Sequence, residues 1–318
     1  MTAARGSGRT QKIWRDGKMV DWDDCTLHVM AHVVHYGSSV FEGIRCYETP
    51  NGGAVFRLKD HMRRLLDSCR VYRIDLPYSV DDLVQATVDA VAANELRECY
   101  IRPVVVRTGE QMGFDPTGVP VETFIIPWHW GPLHGRDSLE NGIDVCVSSW
   151  RRAAPDTFPT MAKAGGNYLN SQLTKLEAAN DSYAQGIMLD YFGFISEGSG
   201  ENVFIVRDGA LYTSPVAAGI LHGITRDTII KLATKLGYEV REQQMLREML
   251  YLADEIFMCG TAAEVTPVRS IDRLPIGEGK PGPVTRALQQ EYLGIAHGRR
   301  PDPFGWLTPV PVAALSAR

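Results

Sequence analysis

Along most of this chain, short apolar runs of period two give way to longer stretches whose apolar residues recur every three or four positions. A strand buries one face at period two, and a helix buries one stripe at period 3.6. Their interleaving restricts the chain to mixed α/β architectures. Asp60 to Ile74 reads as a helix, with Met62, Leu65, Leu66 and Cys69 on one stripe. Ser79 can cap a second helix whose Val80, Leu83, Val84, Val88 and Val91 face inward. Strands follow at 99–107, 121–128 and 143–150. Further on, a helix carrying Leu169, Leu173 and Leu176 precedes strands around Ile187–Tyr191 and Val203–Val206. Asp208-Gly209 between two strand-like runs signals a hairpin. Thr225 can cap a helix carrying Ile229, Ile230, Ala233 and Leu236, which stops at Gly237. Glu255 to Cys259 is another strand, ending in Gly260-Thr261-Ala262-Ala263.

A length of 318 residues suits about two domains. Residues 1–10 read as a disordered N-terminus and 11–130 as a smaller N-terminal α/β domain. Turn formers dominate 131–142, which reads as an interdomain loop. A larger C-terminal domain spans 143–298. The tail 299–318 holds Pro301, Pro303, Pro309 and Pro311 and is expected to lie extended over the surface. The expected fold is α/β (α+β): two mixed domains with a ligand cleft between them. No Gly-x-Gly-x-x-Gly follows a strand, which sets dinucleotide-binding units aside.

Composition narrows the partners. With 33 basic and 38 acidic residues the formal net charge is −5, which argues against a nucleic acid or a polybasic membrane attachment. The cysteines at 25, 46, 69, 99, 146 and 259 form no Cys-x-x-Cys pair, so buried, reduced thiols are expected and no metal site. Met1 to Thr10 lacks the apolar stretch of a signal peptide, and no run approaches the roughly 18 apolar residues of a membrane span. A cytoplasmic protein is expected.

Several residues stand out chemically. Lys163 lies in Ala162-Lys163-Ala164-Gly165-Gly166, where small neighbours let backbone or a cofactor come close. An amine in a crowded, partly dry place loses hydration and becomes a nucleophile toward aldehydes. Tyr168, at the start of a helix, could reach back toward a group attached to Lys163. Glu197 lies between a strand end and the Gly-rich turn Gly198-Ser199-Gly200 and can point into a cleft. Gly223-Ile224-Thr225 opens a helix whose backbone N–H groups and dipole can hold an anion. Gly260-Thr261-Ala262 offers further donors after a strand. Arg64 sits on the first long helix, and Tyr100 and Arg102 share one face of a strand, an arrangement suited to a carboxylate. Taken singly, each also has an ordinary explanation: a loop lysine, a packed ring, a solvated turn acid, a helix cap, a structural ion pair.

Six stretches in order carry a resemblance: Tyr36-Gly37-Ser38-Ser39-Val40-Phe41-Glu42-Gly43-Ile44-Arg45, Tyr100-Ile101-Arg102-Pro103, Lys163-Ala164-Gly165-Gly166-Asn167-Tyr168, Ser196-Glu197-Gly198, Gly223-Ile224-Thr225-Arg226 and Gly260-Thr261-Ala262-Ala263-Glu264. From about Lys12 to Trp306 the chain resembles the branched-chain aminotransferases among the fold-type IV (class IV) pyridoxal-phosphate enzymes. The resemblance implies pyridoxal 5′-phosphate as cofactor and transamination between leucine, isoleucine or valine and 2-oxoglutarate. It makes Lys163 the Schiff-base lysine, Glu197 the partner of the pyridine nitrogen and Tyr168 that of the ring 3-oxygen. Arg64, Leu221, Gly223, Ile224, Thr225, Gly260 and Thr261 fall at cofactor-binding positions, chiefly around the phosphate. Thr261 and Ala262 match the turn that meets the substrate carboxylate. Tyr36, Phe41, Gly43, Arg45, Tyr100, Met112, Phe114 and Trp130 fall in the substrate pocket, with Arg102 facing the second carboxylate of glutamate. The family implies a homodimer or homohexamer in which the Tyr36 region and Met112 to Asp115 cross to a neighbouring site.

Two departures bear on side-chain preference. Relatives often carry a tyrosine where this chain has Pro132-Leu133-His134, and Phe114 is bulkier than the usual residue after Met-Gly. Other class IV activities (D-amino acid or R-amine transamination, aminodeoxychorismate lysis) share the lysine and remain alternatives. So does a non-catalytic relative that binds a phosphorylated metabolite.

Overall fold

The computed structural model describes residues 8–131 and 133–311. Expectations about residues 1–7, 132 and 312–318 lie outside the described residues. The chain divides into two compact units: Met1–Gly131 with Ala162–Gly166 and Ile295–Arg318, and Pro132–Met161 with Asn167–Gly294. This division differs from a simple split near 131–142, because the segment bearing Lys163 and the C-terminal stretch both belong to the first unit.

The first unit contains β1 (Lys12–Arg15), β2 (Lys18–Asp21), α1 (His32–Tyr36), β3 (Ser39–Phe41), β4 (Ile44–Thr49) and β5 (Gly52–Phe56). It continues through α2 (Leu58–Val71), α3 (Val80–Ala93), β6 (Cys99–Arg107) and β7 (Val121–Trp128). The stripe expected on α2 is buried: Met62, Leu65 and Cys69 pack with Leu83, Ala86 and Val91 of α3. Both helices cover the strand face that presents Val40, Ile44, Val55, Ile101, Val105 and Ile125. Helix α2 ends short of Ile74 because the chain reverses at Arg73, with φ 53°. Ser79 caps α3 through a reciprocal box: its hydroxyl accepts from Asp82 N–H, and Asp82 accepts from Ser79 N–H at 2.8 Å.

The second unit contains α4 (Arg136–Asn141), β8 (Ile143–Arg151), α5 (Tyr168–Asn180), β9 (Gln185–Leu189), β10 (Ile195–Gly198), β11 (Asn202–Arg207) and β12 (Ala210–Thr213). It continues with α6 (Ile224–Lys235), β13 (Val240–Glu242), β14 (Glu255–Gly260), β15 (Glu264–Ile271), β16 (Leu274–Pro275) and all but the last two residues of α7 (Pro283–Ala296). Its sheet runs β10-β9-β8-β15-β14-β11-β12-β13, with β16 on β15. β8 pairs parallel with β9 and β15, and β12 pairs parallel with β13. The β11–β12 turn is the expected hairpin, with Asp208 and Gly209 both at positive φ.

Three local features differ from the sequence reading or add to it. On α5 the leucines face outward: Leu169, Leu173 and Leu176 are exposed, while Ser171, Thr174 and Ala178 are buried. Small residues let the helix lie close on β9, where a Cβ at Gly186 would come within 2.7 Å of Thr174. The cap of α6 is Gly223, and Thr225 stands inside the first turn. The chain ends are also held. Thr10 is buried and its hydroxyl donates to the Pro127 carbonyl at 3.0 Å, so the ordered N-terminal part begins before residue 11. In the tail, β17 (Leu307–Pro309) pairs with β5 and completes the first sheet, in order β17-β5-β4-β6-β7-β1-β2 with β3 on β6. Trp306 anchors that strand by burying its ring 5.6 Å from Phe56. An edge strand tolerates Pro309, which lacks an N–H to donate.

Among the described residues no disulfide forms, and every cysteine except Cys25 is buried. Burial pushes the Cys69 thiol up to about 12 and the Cys146 thiol up to about 11. No helix among the described residues is long and apolar enough to cross a membrane.

Candidate active site

In the first unit, Lys163 occupies a short segment clamped by backbone bonds. Phe41 N–H donates to the Lys163 carbonyl at 2.9 Å, Lys163 N–H donates to Ser68 Oγ at 3.0 Å, and Ala164 bridges Val40. Ala162 and Ala164 are buried, and a Cβ at Gly165 would strike Ser39 Oγ. The small neighbours noted in the sequence are therefore a packing requirement. Lys163 Nζ stands 5.0 Å from the centre of the Phe41 ring.

Beside it lies a cluster of which the sequence reading picked out only Arg64. Glu42 is fully buried and receives both Arg64 Nε at 2.6 Å and Arg64 Nη2 at 2.8 Å. His61 Nδ1 lies 2.7 Å from the same carboxylate. Burial opposes ionisation of Glu42, but the Arg64 guanidinium and His61 outweigh it and hold the carboxyl far below its usual range. Burial also holds His61 below its ordinary value, against the pull of Glu42. The available signal was the spacing of His61 and Arg64, three apart on one face of α2.

The expected substrate residues of this unit form two groups. In the first, Arg102 donates from Nη2 to the Tyr100 hydroxyl at 3.1 Å and lies 4.6 Å over the Phe41 ring. Tyr100 meets Trp130 edge-on at 4.9 Å, and a Cβ at Gly43 would lie 1.9 Å from the Tyr100 hydroxyl. Arg45 is buried and donates to the carbonyls of Trp130 at 3.2 Å and Gly131 at 2.6 Å, which tethers that loop. In the second group, Tyr36 accepts from Gly113 N–H at 3.0 Å and packs edge-on against Phe114 at 5.4 Å, with Met112 Sδ 4.0 Å from its hydroxyl. Phe114 is 88% exposed and Met112 is 67% exposed.

In the second unit, Glu197 on β10 is buried and thoroughly bonded. Asn202 Nδ2 donates to Oε2 at 2.9 Å, Leu221 N–H donates to Oε2 at 3.1 Å, and Arg152 Nη2 lies 3.1 Å from Oε1. Arg152 is itself fixed by donating from Nε to the Gly219 carbonyl. Neither Arg152 nor Asn202 was singled out from the sequence. A Cβ at Gly223 would fall 1.9 Å from Asn202 Oδ1, so a side chain there would displace the amide that holds Glu197. Helix α6 starts there without a side-chain cap, and Ile224 and Thr225 are buried in its first turn. Tyr168 opens α5. Gly260, Thr261 and Ala262 turn the chain from β14 to β15, and the Ala262 carbonyl accepts from Leu133 N–H at 3.0 Å.

A family model described as amino-transferase class IV matches residues 39–271. The chain belongs to the class IV aminotransferase family. Within that family it is 53% identical over 299 residues to the branched-chain-amino-acid aminotransferase of Salmonella typhimurium, covering 94% of this chain and 97% of the relative. The crystal structure of the Escherichia coli branched-chain amino acid aminotransferase superposes with a TM-score of 0.94 at 52% identity, over 95% of this chain and 100% of that one. The branched-chain amino acid aminotransferase from Thermobaculum terrenum, in its PLP-form, superposes with a TM-score of 0.89 at 38% identity, over 95% of this chain and 99% of that one. The mixed helices and sheets described above are thus a class IV aminotransferase fold.

Proposed function

We propose that this class IV aminotransferase transfers the amino group between leucine, isoleucine or valine and 2-oxoglutarate, using pyridoxal 5′-phosphate. Arg102 carries this reading. It lies across the Phe41 and Tyr100 rings and retains a buried Nε that no group among the described residues accepts from. An apolar wall suits a branched side chain at about 25 cal/mol per Å² removed from water. A spare buried donor suits the second carboxylate of glutamate, which would be costly to bury unpaired.

The residues present fit the cofactor's polar ends. The amine of Lys163, carried on a segment whose backbone is held by hydrogen bonds, suits the aldehyde, and the buried carboxylate of Glu197 suits a protonated ring nitrogen. The uncapped start of α6 with Thr225, together with Arg64, suits a dianionic phosphate. Bound pyridoxal phosphate supplies the electron sink that lets the substrate's α-proton leave. Lys163 would hold the aldehyde end of the cofactor, and its Nζ, as a free amine, would take up and return the substrate's α-proton. Glu197 holds the proton on the ring nitrogen, and Arg152, Asn202 and Leu221 N–H keep its carboxylate in place. Tyr168 would partner the ring 3-oxygen. Arg64 would bind the phosphate, a role also assigned to the α6 start with Leu221, Gly223, Ile224, Gly260 and Thr261. Thr261 and Ala262 present N–H groups to the substrate carboxylate, and Phe41, Gly43, Tyr100 and Trp130 wall the side-chain pocket. Arg45 secures the loop behind Trp130.

The exposed, apolar Met112 and Phe114, ordered by Tyr36, favour completion of a neighbouring subunit's pocket in a homodimer or homohexamer. Buried free thiols favour a cytoplasmic setting. A panel of L-leucine, L-valine, D-alanine and R-phenylethylamine, each with 2-oxoglutarate, tests the reading. Turnover of the L-branched amino acids supports it, and turnover confined to D-alanine or the amine overturns it.

A further inference from the structure

We propose that His134 is a positioning residue for substrate, which fastens the chain at Leu133 to the Thr261-Ala262 turn. The proposal rests on the reading that this turn receives the substrate carboxylate. Three hydrogen bonds define the fastening. Leu133 N–H donates to the Ala262 carbonyl at 3.0 Å, His134 Nε2 lies 3.1 Å from Glu201 Oε1, and Ser138 Oγ donates to the His134 carbonyl at 2.6 Å. The anchor is rigid. Glu201 is buried, and its two oxygens also accept from Gln185 Nε2 at 2.9 Å and from Gly200 N–H at 3.0 Å. Gln185 is held in turn by Gly186 N–H and by the Ser199 hydroxyl.

Glu201 also lies beside the start of the turn, since a Cβ at Gly260 would come within 3.7 Å of Glu201 Cα and β11 pairs with β14. The residue that receives His134 is therefore the strand neighbour of Gly260. Burial disfavours ionised Glu201, and the bond from His134 is the foremost influence keeping it ionised. Without His134 the carboxylate keeps its other contacts, but Leu133 loses its adjacent brace. The bond to the Ala262 carbonyl then lacks the anchor beside it. A less firmly braced turn holds its N–H groups less well aimed at an incoming carboxylate, whatever the substrate side chain. Lys163 and Glu197 are untouched, so the loss belongs to binding rather than to proton transfer.

The test uses holoenzyme carrying His134→Ala, His134→Gln or His134→Asn, with L-leucine and L-glutamate as alternative donors. A glutamine amide reaches Glu201 and donates, whereas asparagine is too short. The expected result is a KM for both donors raised about tenfold in H134A and H134N, kcat within about twofold of the parent, and recovery of most of the loss in H134Q. If H134A does not fold, the contrast between H134N and H134Q carries the same reading. Unchanged KM in folded, cofactor-loaded H134A or H134N would overturn the proposal. So would a fall in kcat alone, or an H134Q enzyme as impaired as H134N. Cofactor attachment at Lys163, read by its absorbance band, is independent of these outcomes and reports separately on the underlying reading.

Discussion

Arg152 and Glu197 form a buried ion pair, with Nη2 3.1 Å from Oε1 and both side chains less than a tenth exposed. A carboxylate in such a place is costly to bury without a counter-charge. The guanidinium supplies that charge and points the carboxylate, while Asn202 and Leu221 N–H hold its other oxygen. Replacing Arg152 by glutamine strands that charge. Breaking one side of a buried pair costs about 3–5 kcal/mol, so R152Q is expected to melt at lower denaturant concentration. Its kcat is expected to fall by about tenfold or more, with R152K recovering part of both. Urea melts and steady-state kinetics on the two variants check this. A R152Q enzyme with parental kcat would remove Arg152 from the account.

Glu42 makes a pH prediction. Its folded carboxyl titrates well below the unfolded value, so it contributes stability in full above that value, about 4.3 for glutamate, and loses the contribution as pH falls through and below it. The parent is therefore expected to lose stability steeply below about pH 4. Glu42→Gln should flatten that part of the profile while lowering stability at neutral pH, because Arg64 and His61 lose their counter-charge. E42Q should also hold the cofactor less tightly, since Arg64 is no longer aimed. Thermal melts across pH and equilibrium dialysis of the cofactor report both effects.

Arg102 separates the two substrate classes. Arg102→Met keeps the apolar wall and removes the donors. We expect kcat/KM for L-glutamate and 2-oxoglutarate to fall by about a hundredfold, equivalent to about 2.7 kcal/mol, with L-leucine half-reactions changed by less than about threefold. Half-reactions are followed from the cofactor spectrum with one donor at a time. Equal losses for leucine and glutamate would mean that Arg102 acts on packing rather than on the second carboxylate.

Local patterning was legible where one signal dominates. Strands at 99–107 and 121–128 stand out as short runs rich in β-branched and aromatic residues, and Ser79 marks the start of its helix. The six motifs drew attention through their order along the chain, since a lysine amid alanine and glycine or a helix opened by glycine has an ordinary explanation when taken singly. The supporting residues were not. Arg152 meets Glu197 from 45 positions away, and Glu42 meets Arg64 from 22 positions away, so neither pairing leaves a periodic trace. Helix α5 shows a second limit. Its leucines mark a helix, yet Ser171, Thr174 and Ala178 face the sheet because close approach favours small side chains. The placement of 162–166 in the first unit depends on bonds to Phe41 and Ser68 that only the folded chain brings about.

Borohydride reduction of the holoenzyme followed by peptide mapping tests the central claim most directly, because it makes the bond between cofactor and protein permanent. The account predicts a phosphopyridoxyl group on the peptide containing Lys163, at close to one per chain, and none in Lys163→Ala. Label on any other lysine, or no label on cofactor-loaded protein, would contradict it.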